Sequence, residues 1–374
     1  MIVVREVANR SQLREFVRFP LNLYKNTTYY VPALHMDEME TFREEKNPAY
    51  AFCKVKLFLA YDEKERVVGR VGAIMNEKAN AVWSAERMRF TRPDFIDDPR
   101  VSSALMEKVE AWAKECGCKE VHGPIGFCDL DKQGMLIEGF DLPGIILTVY
   151  NAPYYAAHMA RLGYQKDVDW IEMRLPVPEK PMPNIERIAE HVKNNLGIHN
   201  APIKRMKDVL PYIDQVFEVL DQAYQPLYGV IPLSKAQRDM YIRQFISLLN
   251  PDFVQILLDK DERVVGVGVA MPCLAKMSRR HKGRLFPLGW YSAIRAMKKN
   301  KVLTLMLVGI RPELQGKGLN ALLLDQFTKR ALQYGMEYAE SGPILETNEK
   351  NQAQFRPFNP LVCRRRRCWI KALV

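Results

Sequence analysis

Apolar and polar positions alternate along the chain in short runs that predict strands, broken by longer stretches with helical spacing. The segment LFLAYDEKERVVGRVGAIM (57–75) holds two apolar runs around a charged turn, the pattern of a hairpin. The same form returns as QILLDKDERVVGVGVAMP (255–272). Further on, VLTLMLVGI (302–310) predicts a strand, LNALLLDQFTKRALQYG (319–335) a long helix, and MEYAESGPILE (336–346) the next strand. Each half therefore reads as helical lead-in, hairpin, strand, long helix, strand, helix and terminal strand. That is an α/β (α+β) chain with mixed sheets.

Three matches make the chain an internal repeat. ERVVG occurs at 65–69 and 262–266, an offset of 197; GPI occurs at 123–125 and 342–344, an offset of 219; Asn151 and Asn348 restore the offset of 197. A net 22 residues are thus added to the second copy between hairpin and GPI, and to the first copy after GPI, at 126–147. The proline-rich segment PVPEKPMPN (176–184) serves as the linker between one domain at 1–175 and another at 185–374.

A chain of 374 residues fits two domains of ordinary size. Charges within MIVVREVANRSQLREF argue against a signal peptide, so a cytoplasmic protein is expected. Seven scattered cysteines point to reduced thiols. The spacing of Cys116, Cys118, His122 and Cys128 fits no usual zinc pattern, so no metal is expected. The net charge of +11 is concentrated: no acidic residue occurs from Arg263 to Pro312, and RRRR stands at 364–367. Both stretches read as patches that attract phosphate groups.

The glycines of RPELQGKGLNALLL (311–324) lie between the predicted strand and the long helix. A dinucleotide fingerprint would place its first glycine directly at the strand end, and here RPELQ intervenes. Glycines that merely ease a turn remain an alternative. Backbone N–H groups at a helix N-terminus, approached through glycine, suit a diphosphate. Gln315-Gly316-Lys317-Gly318-Leu319-Asn320 resembles the phosphate loop of the GNAT acyltransferases, with Asn320 in place of the usual small residue. The resemblance implies two tandem GNAT-like domains and acetyl-CoA or a longer acyl-CoA as donor, with no metal. By the offset of 219 the loop falls on RPDFIDDPRV (92–101), where Asp97, Asp98 and Pro99 replace the cradle. Carboxylates would repel a diphosphate and proline removes a donor. Only copy two is expected to bind coenzyme A.

The resemblance also implies an N-acyltransferase. The thioester carbonyl would lie against backbone N–H groups between Val308 and Ile310, and a carboxylate, Glu346 or Glu340, would take the amine proton. Asn348 matches the family's asparagine. A tyrosine acid would stand seven residues later, where this chain has Phe355. Tyr154 and Tyr155 of copy one are the candidates to replace it.

The extra residues of copy two, 276–301, carry nine Lys and Arg around Phe286, Leu288, Trp290, Ile294 and Met297. A basic amphipathic element of this kind suits an anionic membrane surface, and equally a helix packed on its own domain. The acceptor is accordingly expected to be a small-molecule or lipid amine, with the protein peripheral at the inner membrane face. Tandem GNAT-like proteins that the chain resembles include bacterial ceramide synthases, which join acyl chains to a sphingoid amine. Two other readings stay open: a Fem-type ligase using aminoacyl-tRNA, disfavoured because it needs no coenzyme A loop, and an inactive coenzyme A-binding module. Nucleic acid is otherwise not expected as a partner.

Overall fold

The computed structural model describes residues 1–373. The first half runs β1 (Val3–Glu6), α1 (Arg10–Leu23), α2 (His35–Thr41), β2 (Cys53–Tyr61), β3 (Val67–Asn76) and α3 (Glu77–Val82). It continues with β4 (Arg87–Phe95), α4 (Pro99–Glu115), β5 (Glu120–Gly123), β6 (Met135–Glu138), α5 (Tyr155–Arg161) and β7 (Gln165–Pro176). The second half opens with α6 (Pro183–Leu196), β8 (His199–Asn200), α7 (Ile213–Tyr224), α8 (Lys235–Phe245), β9 (Val254–Leu258) and β10 (Val264–Pro272). Then come α9 (Ala275–His281), α10 (Gly289–Lys298), β11 (Val302–Ile310) and α11 (Leu319–Gln333). The last elements are β12 (Tyr338–Ser341), β13 (Ile344–Leu345), α12 (Glu349–Ala353) and β14 (Leu361–Ala372).

The chain forms two compact units that do not follow simple chain order. Unit 1 holds Met1–Ile171, Ala275–Trp290 and Cys363–Val374; unit 2 holds Glu172–Leu274 and Tyr291–Val362. Two features explain the exchange. The first part of the copy-two insert is tied to 32–35: Ser278 donates to the Pro32 carbonyl, and His35 N–H donates to Gly283 O at 2.9 Å. The terminal strand β14 pairs antiparallel with β5 and β6 of copy one.

In unit 1 the strand order is β1-β2-β3-β4-β5-β14, antiparallel except for the parallel pair β4 and β5. Alternation along β2 sorts its side chains to two layers. Phe58 and Ala60 join Phe90, Leu105, Val109 and Trp112 beneath α4, while Leu57, Leu59 and Tyr61 join Phe16 and Phe42 beneath α1 and α2. Unit 2 repeats the plan with β12-β11-β10-β9-β8, in which β11 and β12 are parallel, and with Arg174–Pro176 of β7 beside β12. Its helices also take opposite faces: a Cβ at Gly268 would meet Phe327 of α11, and one at Gly309 would meet Leu220 of α7.

The repeat extends to individual hydrogen bonds. In the first hairpin Asp62 Oδ1 accepts from the N–H groups of Lys64 and Arg66, both at 2.9 Å. In the second, Asp259 Oδ1 accepts from Asp261 at 3.0 Å and Arg263 at 2.9 Å. Glu65 (φ 56°) and Glu262 (φ 59°) hold the same left-handed position in the two turns.

The RRRR stretch corrects its reading as a phosphate-attracting patch. Strand alternation buries Arg364 and Arg366, which donate to the carbonyls of Pro143 and Val149, and Arg366 also to Thr148 Oγ1 at 2.9 Å. On the other face Arg367 forks onto Asp169 at 2.8 and 3.0 Å. Burial pushes the Asp169 carboxyl up, but Arg367 outweighs it and holds the group below its usual range. These arginines are internal fasteners.

Candidate functional site

The site begins where two parallel strands part. β11 and β12 pair over Val302–Leu305 and Tyr338–Ser341, and Gly342 N–H closes the pairing on Leu305 O at 3.0 Å. A register shift opposite Val269/Ala270 follows on β11, at Met306. From there to Ile310, β11 is paired with β10 on one edge, and no further residue of β12 pairs with it. The edge so released carries the backbone groups of Val308.

β11 delivers the chain to the glycine loop. Gly316 (φ 78°) and Gly318 (φ 88°) both take the left-handed conformation, and Gly318 is the N-cap of α11. Among the described residues no side chain caps α11, and no protein acceptor meets the N–H groups of Gly316 or Gly318. Lys317 is exposed beside them, Leu319 is buried and anchors the helix, and Asn320 Oδ1 is buried without a hydrogen-bond partner. Gln315 turns back to donate to Ile310 O at 3.1 Å. Open backbone donors and the positive end of a 15-residue helix form a cradle that suits an anionic group.

Copy one closes the equivalent place in two ways. Asp98 caps α4, accepting from Arg100 N–H at 2.9 Å and pairing with the Arg100 guanidinium, while Asp97 pairs with His158 at 3.0 Å. The Arg100 hydrogen bond holds Asp98 below the usual carboxylate range. Beyond the short pairing of β4 with β5, Arg92 is buried and bound to Asp131 at 2.7 Å and Glu38 at 3.1 Å. Burial raises the Glu38 carboxyl, yet Arg92 and Lys132 bring it down to about 2. Copy one meets its own helix and strand ends from within.

The two candidate carboxylates have different surroundings. Glu340 stands in the paired part of β12, opposite Thr304 and Arg174; it is buried and accepts from Arg174 at 2.8 Å. Glu346 is half-buried in the turn after β13. The expectation of one regular strand bearing both is corrected, because Gly342–Pro343 interrupts it between β12 and β13. Asn348 is the N-cap of α12 and accepts from Asn351 N–H at 3.1 Å.

Phe355 is buried and lines a small apolar cleft with Leu305, Phe327, Ala339 and Phe358. Tyr154 and Tyr155 are spent inside unit 1: Tyr154 donates to Phe95 O, while Tyr155 accepts from Phe95 N–H at 2.8 Å and bonds Tyr24 at 2.7 Å. Sequence reading overlooked Tyr224, whose hydroxyl accepts from Val308 N–H at 3.2 Å and donates to Val308 O at 3.1 Å. The N–H expected to meet a thioester directly is engaged by this phenol.

Comparison with known proteins agrees with the geometry. A tandem GNAT protein from the clavulanic acid biosynthesis pathway superposes with a TM-score of 0.58, covering 100% of this chain and 99% of that one at 13% identity. The fold is a tandem GNAT fold. A GCN5-related N-acetyltransferase from Sphaerobacter thermophilus gives a TM-score of 0.51 at 11% identity, covering 100% and 96% of the two chains. In sequence, the chain is 27% identical to Protein YghO of Escherichia coli (strain K12), over 92% of this chain and 89% of that protein. It is 23% identical to a bacterial ceramide synthase of Caulobacter vibrioides, over 92% and 90%. No family model matches the chain.

The cradle can be tested by charge alone. A Cβ at Gly316 meets nothing within 4 Å, and Asp and Asn both tolerate a left-handed φ. Gly316→Asp is expected to lower coenzyme A affinity at least tenfold, about 1.4 kcal/mol, by calorimetry. Gly316→Asn, of the same shape without charge, should bind nearly as the native chain does. Equal affinity in both variants would remove the diphosphate from this loop.

Proposed function

We propose that the protein is an acyl-CoA-dependent N-acyltransferase, with copy two holding the donor and a lipid-like amine as acceptor. The observation that carries this reading is the uncapped N-terminus of α11, entered through two left-handed glycines, on a tandem GNAT fold. Gly316, Lys317, Gly318, Leu319 and Asn320 would hold the diphosphate of the donor. The released edge of β11 would receive the thioester.

Glu346 is the better base. Glu340 is buried in the paired part of β12 and accepts from Arg174, and Glu346 lies half-exposed beyond the strand break. A base must reach the amine before it can take its proton. Glu346→Gln should slow thiol release from palmitoyl-CoA with a sphingoid amine about a hundredfold, while leaving donor affinity unchanged. Full activity in Glu346→Gln would reject that role.

The choice of a lipid amine has two supports. The name of the Caulobacter relative refers to ceramide synthesis. The basic insert also exposes apolar side chains: Phe286 is 69% exposed, Leu288 65%, and Trp290, Tyr291 and Ile294 are exposed as well. Ala293 supplies the buried side of α10, so the Trp290 and Ile294 face is not packed away. No helix among the described residues is long and apolar enough to cross a membrane, and this element would instead lie on an anionic surface.

Each basic residue near such a surface contributes around 1 kcal/mol. Replacing Lys298, Lys299 and Lys301 together with Gln should therefore strongly reduce co-sedimentation with anionic vesicles and spare coenzyme A affinity. Native protein that ignores anionic vesicles would redirect the search to a soluble amine.

A further inference from the structure

The geometry points to Tyr224 as the group that polarises the thioester carbonyl, in place of a direct backbone N–H. This inference rests on the acyl-transfer reading above. Its starting point is Val308, whose N–H and C=O both meet the Tyr224 hydroxyl at the edge where β11 has left β12. A thioester placed along this edge meets a phenol before it meets the backbone.

The position of the phenol is built into unit 2. Tyr224 is the last residue of α7. One turn earlier, Leu220 packs against Gly309, where an added Cβ would come within 3.1 Å of Leu220 Cδ2. On the adjoining face, Arg311 donates to Glu218 Oε1 at 3.0 Å and to Gln222 Oε1 at 3.3 Å, and its Nε donates to Val264 O at 2.7 Å. The Arg311 hydrogen bond holds Glu218 below the usual carboxylate range, so the ion pair persists at neutral pH. Pairs of residues one turn apart thus fix the end of α7 to Val308, Gly309 and Arg311.

Copy one supplies the contrast. Tyr24, the residue following α1, is buried and donates to Asp94 Oδ1 at 2.7 Å while sharing a bond with Tyr155. Burial and the nearby Asp94 charge push its phenol far above the usual range. That proton is committed to a carboxylate. In copy two the acceptor is a neutral backbone carbonyl, and an oxygen that gains negative charge competes well against it. The Val308 N–H, donating to the phenol oxygen, strengthens the phenol as a donor in turn.

The step balances without any further reagent. The amine nitrogen attacks the carbonyl carbon and a C–N bond forms, while the C=O pair moves to oxygen. Tyr224 turns its O–H from Val308 O to that oxygen and keeps its proton. The pair returns, the C–S bond breaks, and sulfur leaves with its electrons. Glu346 removes a proton from nitrogen, and solvent delivers one to sulfur.

Isotope-edited infrared spectroscopy of palmitoyl-CoA labelled at the carbonyl carbon tests the assignment without an acceptor. Bound to the native chain, the carbonyl band should fall below its position in solution. Tyr224→Phe should return the band toward the solution position at unchanged affinity, and lower the rate of transfer to a sphingoid amine about a hundredfold. Fluorotyrosine at 224, a stronger donor of native shape, should move the band further down, and it guards against a Phe variant that folds poorly. An identical band in all three proteins at equal affinity overturns the role of Tyr224 and leaves the acyl-CoA reading standing. Native protein that does not bind palmitoyl-CoA at all rejects that reading, and this inference with it.

Discussion

Backbone groups at the end of a secondary element must find partners, and the two halves of this chain answer that demand differently. Each half runs a parallel strand pair that separates after a few residues and then starts a long helix. Separation releases strand-edge groups, and the helix start leaves N–H groups without intrahelical acceptors. In copy one, Asp98, Asp97 and the buried Arg92–Asp131–Glu38 cluster satisfy or fill these places from within. In copy two the helix start stays open and the released strand edge is met by a phenol. The two halves differ in that choice, and the proposed assignment of the donor to copy two rests on it.

β14, at the end of copy two, carries arginines that clamp Pro143 in the copy-one insert and Thr148 and Val149 just after it, so unit 1 is closed by residues distant in sequence. Burying such cations is costly; carbonyls and a hydroxyl offset part of that cost at Arg364 and Arg366, and Asp169 pairs with the less buried Arg367.

The repeat and the loop were legible in the sequence because both rest on local rules. Charged turns between alternating apolar runs made the hairpins, and aspartate at the first turn position fixed both in the same way. Gly316 and Gly318 announced positive φ before a helix. What escaped reading depends on contacts between distant residues. RRRR looks solvated in a string of letters, and only strand alternation with carbonyl acceptors makes it internal. Glu340 and Glu346 seemed to share a strand until Gly342–Pro343 broke it. Tyr224 lies 84 residues from Val308 and belongs to no motif. Its one sequence signal was a tyrosine at the end of a long helical stretch in each copy, Tyr24 just after α1 and Tyr224 closing α7.

The central claim is that the N-terminus of α11 holds the diphosphate of coenzyme A and that of α4 does not. Amide hydrogen exchange, followed residue by residue as coenzyme A is added, tests it most directly, because the donors in question are themselves the exchanging groups. The account predicts slowed exchange across 316–320 and unchanged exchange across 97–101. Protection at 97–101, or bound coenzyme A with no change at 316–320, would contradict it.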